Sequence, residues 1–283
     1  MRVVSLLPAA TEIVAALGAA NRLVGVSHEC DWPPEAVRDR PRVTKTWVDA
    51  TLPSGAIDRQ LSHGSADRPP IEVDVDALCR VRPDIIIGQA VCEVCAVGGN
   101  EMARAVAALD PPPRVVTLHA HDLAGVFDDI SKVGDALDLR SEAEELVAGL
   151  RYRLNRLSAH GAQRTAHRVL VIEWVDPPYV AGHWVPEVVA ATGGVDIGAR
   201  PGDRSVTRPW SGLRTLAPDV VVVALCGFDV ARARREVAAV TDPDARALLA
   251  EARVVFLDGN AYTSRPGPRL VEGTELLAQL IGG

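Results

Sequence analysis

The run Pro83-Asp84-Ile85-Ile86-Ile87-Gly88-Gln89 constrains this chain more than any other stretch. Consecutive β-branched residues bounded by Pro and Gly fit a strand covered on both faces, the kind found in parallel sheets flanked by helices. The run leads into Cys92-Glu93-Val94-Cys95, so the carboxyl end of the strand carries two thiols. In open α/β sheets ligands sit outside the carboxyl ends of the strands. Pro218-Asp219-Val220-Val221-Val222-Val223 repeats the pattern in the second half, a weak internal repeat.

Around these runs the chain reads as two α/β lobes. Arg2 to Leu6 is a strand, Pro8 a turn, and Ala9 to Leu17 a helix closed by Gly18; Leu23 to Ser27 is a second strand, and Val43 to Trp47 a short third. Ser54 to Pro70, rich in Gly, Ser and Pro, reads as a long surface loop. Val73 to Val81 has helical spacing, as do Met102, Val106 and Leu109, and Arg114 to Leu118 is a strand ending at His119 and His121. An amphipathic helix over Leu123 to Leu137 follows. Ser141 with Glu144 has the form of a capping box for the next helix, whose span from Glu142 to His160 is about 28 Å at 1.5 Å per residue. The second lobe holds strands at Val169 to Trp174, Pro218 to Leu225 and Val254 to Leu257, with helices at Val185 to Thr192, Val230 to Val240, Asp244 to Ala252 and Leu270 to Ile281. The expected organisation is an N-terminal lobe over 1–121, connecting helices over 122–166 with one long backbone helix, and a C-terminal lobe over 167–283.

A chain of 283 residues with 48% hydrophobic content buries a sizeable core. Its net charge of -7 and pI near 5.5 provide no basic stripe for nucleic acid. No run is long and uncharged enough to span a bilayer. Five cysteines, four of them in the first hundred residues, do not make a secreted disulfide framework. Pro8, Thr11 and Glu12 interrupt the apolar N-terminus, which reads as strand, turn and helix rather than a signal peptide. The expectation is therefore a cytoplasmic protein.

Three groups of residues carry possible chemistry. His28 and Cys30 follow the second strand, and Cys92 and Cys95 follow the Pro83-Asp84 strand; thiolates and imidazole suit zinc, copper(I) or an iron-sulfur cluster. The competing view is that cysteine is commonly buried as a small hydrophobe, as expected for Cys79 and Cys226. Trp32, Trp47, Trp174, Trp184 and Trp210 fall near strand ends or in Pro-containing loops, where indole faces suit stacking on a large planar ligand. Tyr262 and the run Arg265-Pro266-Gly267-Pro268-Arg269 follow a strand and can present charge to a carboxylate, amide or phosphate. No catalytic motif is present: the chain has no Gly-x-Ser-x-Gly elbow, phosphate loop, dinucleotide fingerprint or His-Glu-x-x-His.

The chain resembles the helical-backbone (class III) family of substrate-binding proteins, whose members bind cobalamin, ferric siderophores or haem. The resemblance lies in Ser5 to Glu12, Val24 to Ser27 with Asp31-Trp32-Pro33-Pro34, Pro83-Asp84, Gly98-Gly99-Asn100, Pro177-Pro178-Tyr179, Gly193-Gly194, Pro209-Trp210 and Arg265 to Arg269. It implies two Rossmann-like lobes joined by a backbone helix, with Pro8, Trp32, Tyr179, Trp210 and Arg265 lining a ligand cleft between them. It also implies a permease partner that docks on one acidic residue per lobe, Glu101 lying near the N-lobe position. The expected function is non-enzymatic binding of a corrinoid or similar large metal-bearing ligand by Pro8, His28, Trp32, Trp47, Tyr179, Trp184, Trp210, Tyr262 and Arg265, with His28 as a candidate axial ligand to cobalt. Two alternatives stand beside it: a zinc or iron-sulfur protein built on His28, Cys30, Cys92 and Cys95, and a ferric-siderophore component of an ABC transporter.

Overall fold

The computed structural model describes residues 1–63, 69–89, 97, 99–163 and 165–282. Two compact units divide the chain. The first comprises 1–51, 59–120 and 124–148, the second 52–58, 121–123 and 149–283.

The first unit begins with β1 (Val3–Ser5), α1 (Pro8–Ala16), β2 (Leu23–Val26), the short α2 (Pro34–Val37) and β3 (Thr44–Thr46). Helix α3 (Ser54–His63) contributes residues to both units; β4 (Ile71–Val73), α4 (Val75–Val81), β5 (Ile85–Gln89), α5 (Gly99–Ala107) and β6 (Arg114–Leu118) continue the first. Its sheet has the order β2-β1-β5-β6, every pairing parallel. β5 lies between β1 and β6, and Ile85 to Gln89 are all buried, as a doubly covered strand requires. Val4, Leu6, Val43, Leu78, Ile86 and Met102 belong to one apolar cluster. A Cβ at Gly88 would lie 2.7 Å from Met102 Sδ, so a larger residue there would require the Met102 side chain to move.

Helices α6 (Leu123–Ala136) and α7 (Arg140–Gly161) precede the strands of the second unit, and the division between units falls within α7. The remaining elements are β7 (Arg168–Val175), β8 (Pro178–Val180), α8 (Val185–Ala191), β9 (Val195–Asp196), β10 (Val206–Thr207), α9 (Trp210–Thr215), β11 (Val220–Val223), α10 (Val230–Ala239), α11 (Pro243–Glu251), β12 (Arg253–Phe256), α12 (Gly259–Tyr262) and α13 (Arg269–Gly282). β7, β11 and β12 are parallel neighbours; β9 pairs parallel with the start of β7, and β8 and β10 extend the sheet antiparallel from its end. Val220 to Val223 are all buried, matching β5. This is the mixed α/β, two-lobed architecture expected from the sequence.

Local expectations needed correction at four places. Ser54 to Pro70 contains helix α3, because Ile57 packs inward and Glu236 Oε2 accepts the Ser54 N–H at 2.9 Å, holding the first turn despite the surrounding polar composition. Val73, expected to begin a helix, instead ends the strand β4, which pairs antiparallel with β3; α4 begins only after Asp74, whose side chain caps Ala77 N–H at 2.8 Å. Ser141 lies inside α7 and does not cap it, since the left-handed Asp138 (φ 57°) ends the preceding turn and the Leu139 carbonyl already accepts the Ala143 N–H. Cys79 is exposed, not packed in the core.

Candidate functional site

Parallel strands align their carboxyl ends; Pro8, His28 and Trp32 follow β1 and β2 there, whereas Trp47 follows β3 of the separate antiparallel pair. In the first unit Pro8 opens α1 just after β1, with Leu6 and Leu7 buried beneath it. After β2, residues 27–33 turn on a Cys30 N–H to Ser27 carbonyl bond of 3.3 Å. Thr44 Oγ1 receives the His28 N–H at 2.9 Å and lies 2.7 Å from the His28 ring nitrogen Nδ1. Burial and, second, the Arg42 charge hold the His28 pKa below its usual value, which favours neutral imidazole. Trp32 lies in this loop and is 45% exposed. Trp47 follows β3, half-buried, its indole N–H donating to the Pro69 carbonyl at 2.9 Å.

The cysteine tetrad fares differently. Cys30 is only 1% exposed; its Sγ lies 3.1 Å from Thr11 Oγ1 and 3.2 Å from Ser27 Oγ. Burial raises the thiol pKa, and those hydrogen bonds only partly offset it, so the group is a poor thiolate donor. His28 and Cys30 take different partners, and among the described residues no group of three His, Cys, Asp or Glu side chains is placed to hold a metal ion. Cys92 and Cys95 lie outside the described residues. The zinc or iron-sulfur reading thus finds no support.

In the second unit the edge is richer in aromatic rings. Trp174, near the end of β7, faces Tyr179 across the β7–β8 pair. Its indole N–H closes on the Asp176 carbonyl at 3.2 Å, and Phe228 packs against the ring with centroids 5.1 Å apart. Arg232 lies over Phe228 at 3.8 Å. Tyr179 is half-buried, and its pKa is raised by burial and then by Asp58 and Glu173. Trp184 and Trp210 stand at the starts of α8 and α9 and are 8% and 6% exposed. Both have large structural roles; Trp184 donates its indole N–H to the Thr263 carbonyl at 2.8 Å. Tyr262 is half-buried, its hydroxyl 3.2 Å from Glu272 Oε1. Arg265 is 5% exposed, and its Nη2 donates to Asn260 Oδ1 at 2.7 Å.

Sequence reasoning missed His183, which stacks on His121 with ring centroids 6.1 Å apart and tilts against Trp184 at 5.5 Å. Its backbone is left-handed (φ 54°), held by an N–H bond to the Asp203 carbonyl at 2.6 Å and by Gly202 N–H on its own carbonyl at 3.0 Å. Burial, then His121 and Arg204, lower its pKa. Gly182 makes the fold-back possible, since a Cβ there would collide with the Asp203 carbonyl oxygen. The run Gly182-His183-Trp184 just after a Pro-Pro-Tyr strand was the available signal. A cavity of about 740 Å³ lined by Arg2, Cys79, Arg80 and Arg82 opens at the amino edge of the first unit, opposite to the edge where such sheets bind ligands.

The profile of the family described as periplasmic binding protein matches residues 3–251. The chain belongs to that family. Its members are substrate-binding proteins, not enzymes, that deliver small molecules to ABC transporter permeases. Among solved structures the chain is similar to the periplasmic heme-binding protein RhuT from Roseiflexus sp. RS-1 (22% identity, 98% of this chain and 96% of that one, TM-score 0.71). It is similar to the periplasmic vitamin B12 binding protein BtuF of Vibrio cholerae (21% identity, 99% and 96%, TM-score 0.70). A possible iron-binding periplasmic solute-binding protein from Staphylococcus epidermidis gives 20% identity over 100% and 98%, with a TM-score of 0.72. At these identities the likeness concerns the fold. No curated protein matches the chain.

Family membership overturns the expected cytoplasmic location, because periplasmic binding proteins work outside the cytoplasm. The residues behind that expectation do fold as described, with β1 starting at Val3 and α1 at Pro8. A folded first strand identifies which residues pack together and carries no information about compartment.

Proposed function

We propose that this periplasmic binding protein captures a corrinoid or a closely comparable metal-bearing macrocycle and hands it to an ABC permease. The observation that carries the reading is the aromatic edge of the second unit, where Trp174 and Tyr179 stand half-exposed side by side on β7 and β8. Flat, weakly polar rings backed by Phe228 suit a large conjugated ligand better than a sugar or a free amino acid. Two of the similar structures are described as binding vitamin B12 or heme, which agrees with a ligand of this size and flatness. Pro8, His28, Trp32 and Trp47 of the first unit, and Trp184, Trp210, Tyr262 and Arg265 of the second, are the further proposed contacts. Glu101, which pairs with Arg104 at 3.1 Å, is the proposed permease contact of the first unit.

Titration of the purified protein with cyanocobalamin, dicyanocobinamide, hemin and a ferric hydroxamate tests the reading. Indole fluorescence should be quenched by a macrocycle with a dissociation constant of about micromolar or tighter, equivalent to roughly 8 kcal/mol. Saturable binding of the ferric hydroxamate with no response to the three macrocycles would replace the macrocycle by a siderophore.

A further inference from the structure

Loop 27–33 of the first unit carries His28 and Trp32 but contains no regular secondary structure. Backbone of that kind has considerable freedom, and ordering it when a ligand arrives would subtract from affinity. Three anchors remove that freedom beforehand. Thr44 holds His28, the Thr11 and Ser27 hydroxyls hold the Cys30 sulfur, and Arg42 holds the turn itself.

The Arg42 contact is the unusual one. A single guanidinium nitrogen, Nη1, donates to the Ser27 carbonyl at 3.0 Å and to the Cys30 carbonyl at 2.7 Å, the first and last residues of the turn. Two carbonyl dipoles that converge repel each other, and a cation between them relieves this with charge-assisted hydrogen bonds. Arg42 is itself delivered by a rigid segment. The Val26 N–H donates to the Pro41 carbonyl at 3.0 Å, the Val43 N–H returns to the Val26 carbonyl at 2.9 Å, and Val43 is fully buried. The Arg42 residue is nonetheless exposed, and both of these side-chain bonds go to this turn.

We propose that Arg42 is the positioning residue of the ligand-bearing loop: by clamping Ser27 and Cys30 it presents His28 and Trp32 in one arrangement before ligand binds. The affinity consequence rests on the reading that this loop touches the ligand; the clamp itself does not. On the far side Trp32 is held by the turn that opens α2, where the Ala36 N–H donates to the Pro33 carbonyl at 2.9 Å. Loss of Arg42 therefore removes one of the three anchors and the charged donor between the Ser27 and Cys30 carbonyls, while the α2 end stays attached.

The test compares wild type, Arg42→Ala and Arg42→Gln, with Trp32→Phe to identify the Trp32 signal. Arg42→Ala should keep a cooperative melt, yet bind its macrocycle about tenfold or more weakly, the size expected when a preordered loop must be ordered on binding. Guanidinium chloride at low millimolar concentration should restore part of the affinity in Arg42→Ala and none in Trp32→Phe, and Arg42→Gln, which keeps an N–H donor, should lie between. Trp32 fluorescence anisotropy should fall and Cys30 alkylation should quicken in Arg42→Ala without any ligand present. Failure of wild type to bind any macrocycle would remove the functional reading while the anisotropy and alkylation results still decide the clamp. Unchanged anisotropy and alkylation in both Arg42 variants, or an affinity loss that guanidinium does not rescue, would overturn it.

Discussion

Arg168 in the second unit repeats, at equivalent positions, the role of Arg2 in the first. The Arg2 N–H donates to Asp84 Oδ2 at 2.6 Å and the Arg168 N–H to Asp219 Oδ2 at 2.8 Å. Each guanidinium also caps the carbonyls at the end of the helix before the Pro-Asp pair: Arg2 bonds Val81 and Arg82, and Arg168 bonds Leu216 and Ala217. Arg82 and Ala217 are both left-handed, at φ 41° and 47°. The Asp84 and Asp219 carbonyls then receive the N–H of Arg114 and Arg253, where the next strands begin. The same latch closes the amino edge of both sheets.

Equivalent substitutions in the two latches should have similar effects, apart from the exposed N-terminal ion pair at 3.8 Å that Asp84 also makes. Asp84→Ala and Asp219→Ala are each expected to lower unfolding free energy by about 0.5–1.5 kcal/mol, the net worth of a solvent-accessible hydrogen bond. Urea midpoints of the two variants measure this, and a difference larger than about 1.5 kcal/mol between them would break the equivalence.

Trp184→Phe tests the packing role of a proposed contact. An aromatic ring is kept, though a smaller one, and the buried Thr263 carbonyl loses its donor, which alone costs about 1–3 kcal/mol. Chemical denaturation should show that loss, and a fall in ligand affinity beyond it would mark the ring as a direct contact.

Trp174→Ala should act mainly on binding. This half-exposed ring is the proposed stacking face, and removing a central aromatic anchor weakens binding by roughly 1–3 kcal/mol. Fluorescence-independent titration, such as calorimetry, checks it; unchanged affinity would remove Trp174 from the site.

Asp196 gives a pH dependence of defined sign. Burial pushes its pKa up to about 6, against the opposing hydrogen bonds from Gly198 and Ala199. The folded state therefore holds the proton more tightly than the unfolded chain, and stability present below pH 4 is lost as pH rises through about 6. The ceiling on this effect is about 3 kcal/mol, at 1.36 kcal/mol per pH unit. Asp196→Asn keeps an acceptor for the two N–H groups and cannot ionise, so its stability between pH 4 and 7 should decline less than that of wild type.

Thiol reactivity should follow exposure. Cys79 is expected to alkylate rapidly in the folded protein and Cys30 only on unfolding, as read by peptide mass mapping. Rapid native alkylation of Cys30 would contradict the buried geometry.

Much of the fold was legible because it rests on local signals. Ile85 to Ile87 and Val220 to Val223 could only be central strands, and Pro-Asp before each marked their starts. The latches were not legible, since nothing local to Arg2 indicates that its partners lie some eighty residues away. Helix α3 was hidden for the same reason: Glu236, far along the chain, secures its first turn. At the site the tryptophans announced themselves by scarcity and position, but their burial did not; Trp184 and Trp210 turned out largely enclosed, and Trp32 open. His183 escaped because its placement depends on a left-handed backbone that only the Asp203 segment enforces.

The close approach of Gly182 to the Asp203 carbonyl sets limits on how the ligand repertoire of such a protein can diversify. Trp174 and Tyr179 sit on paired strands whose backbone bonds persist whatever side chains they carry, so those positions can drift or be randomised in a library. Position 182 cannot, because any side chain there must push away the segment that shapes His183. A selection for new specificity on this scaffold should therefore return variety at 174 and 179 around an unchanging glycine at 182.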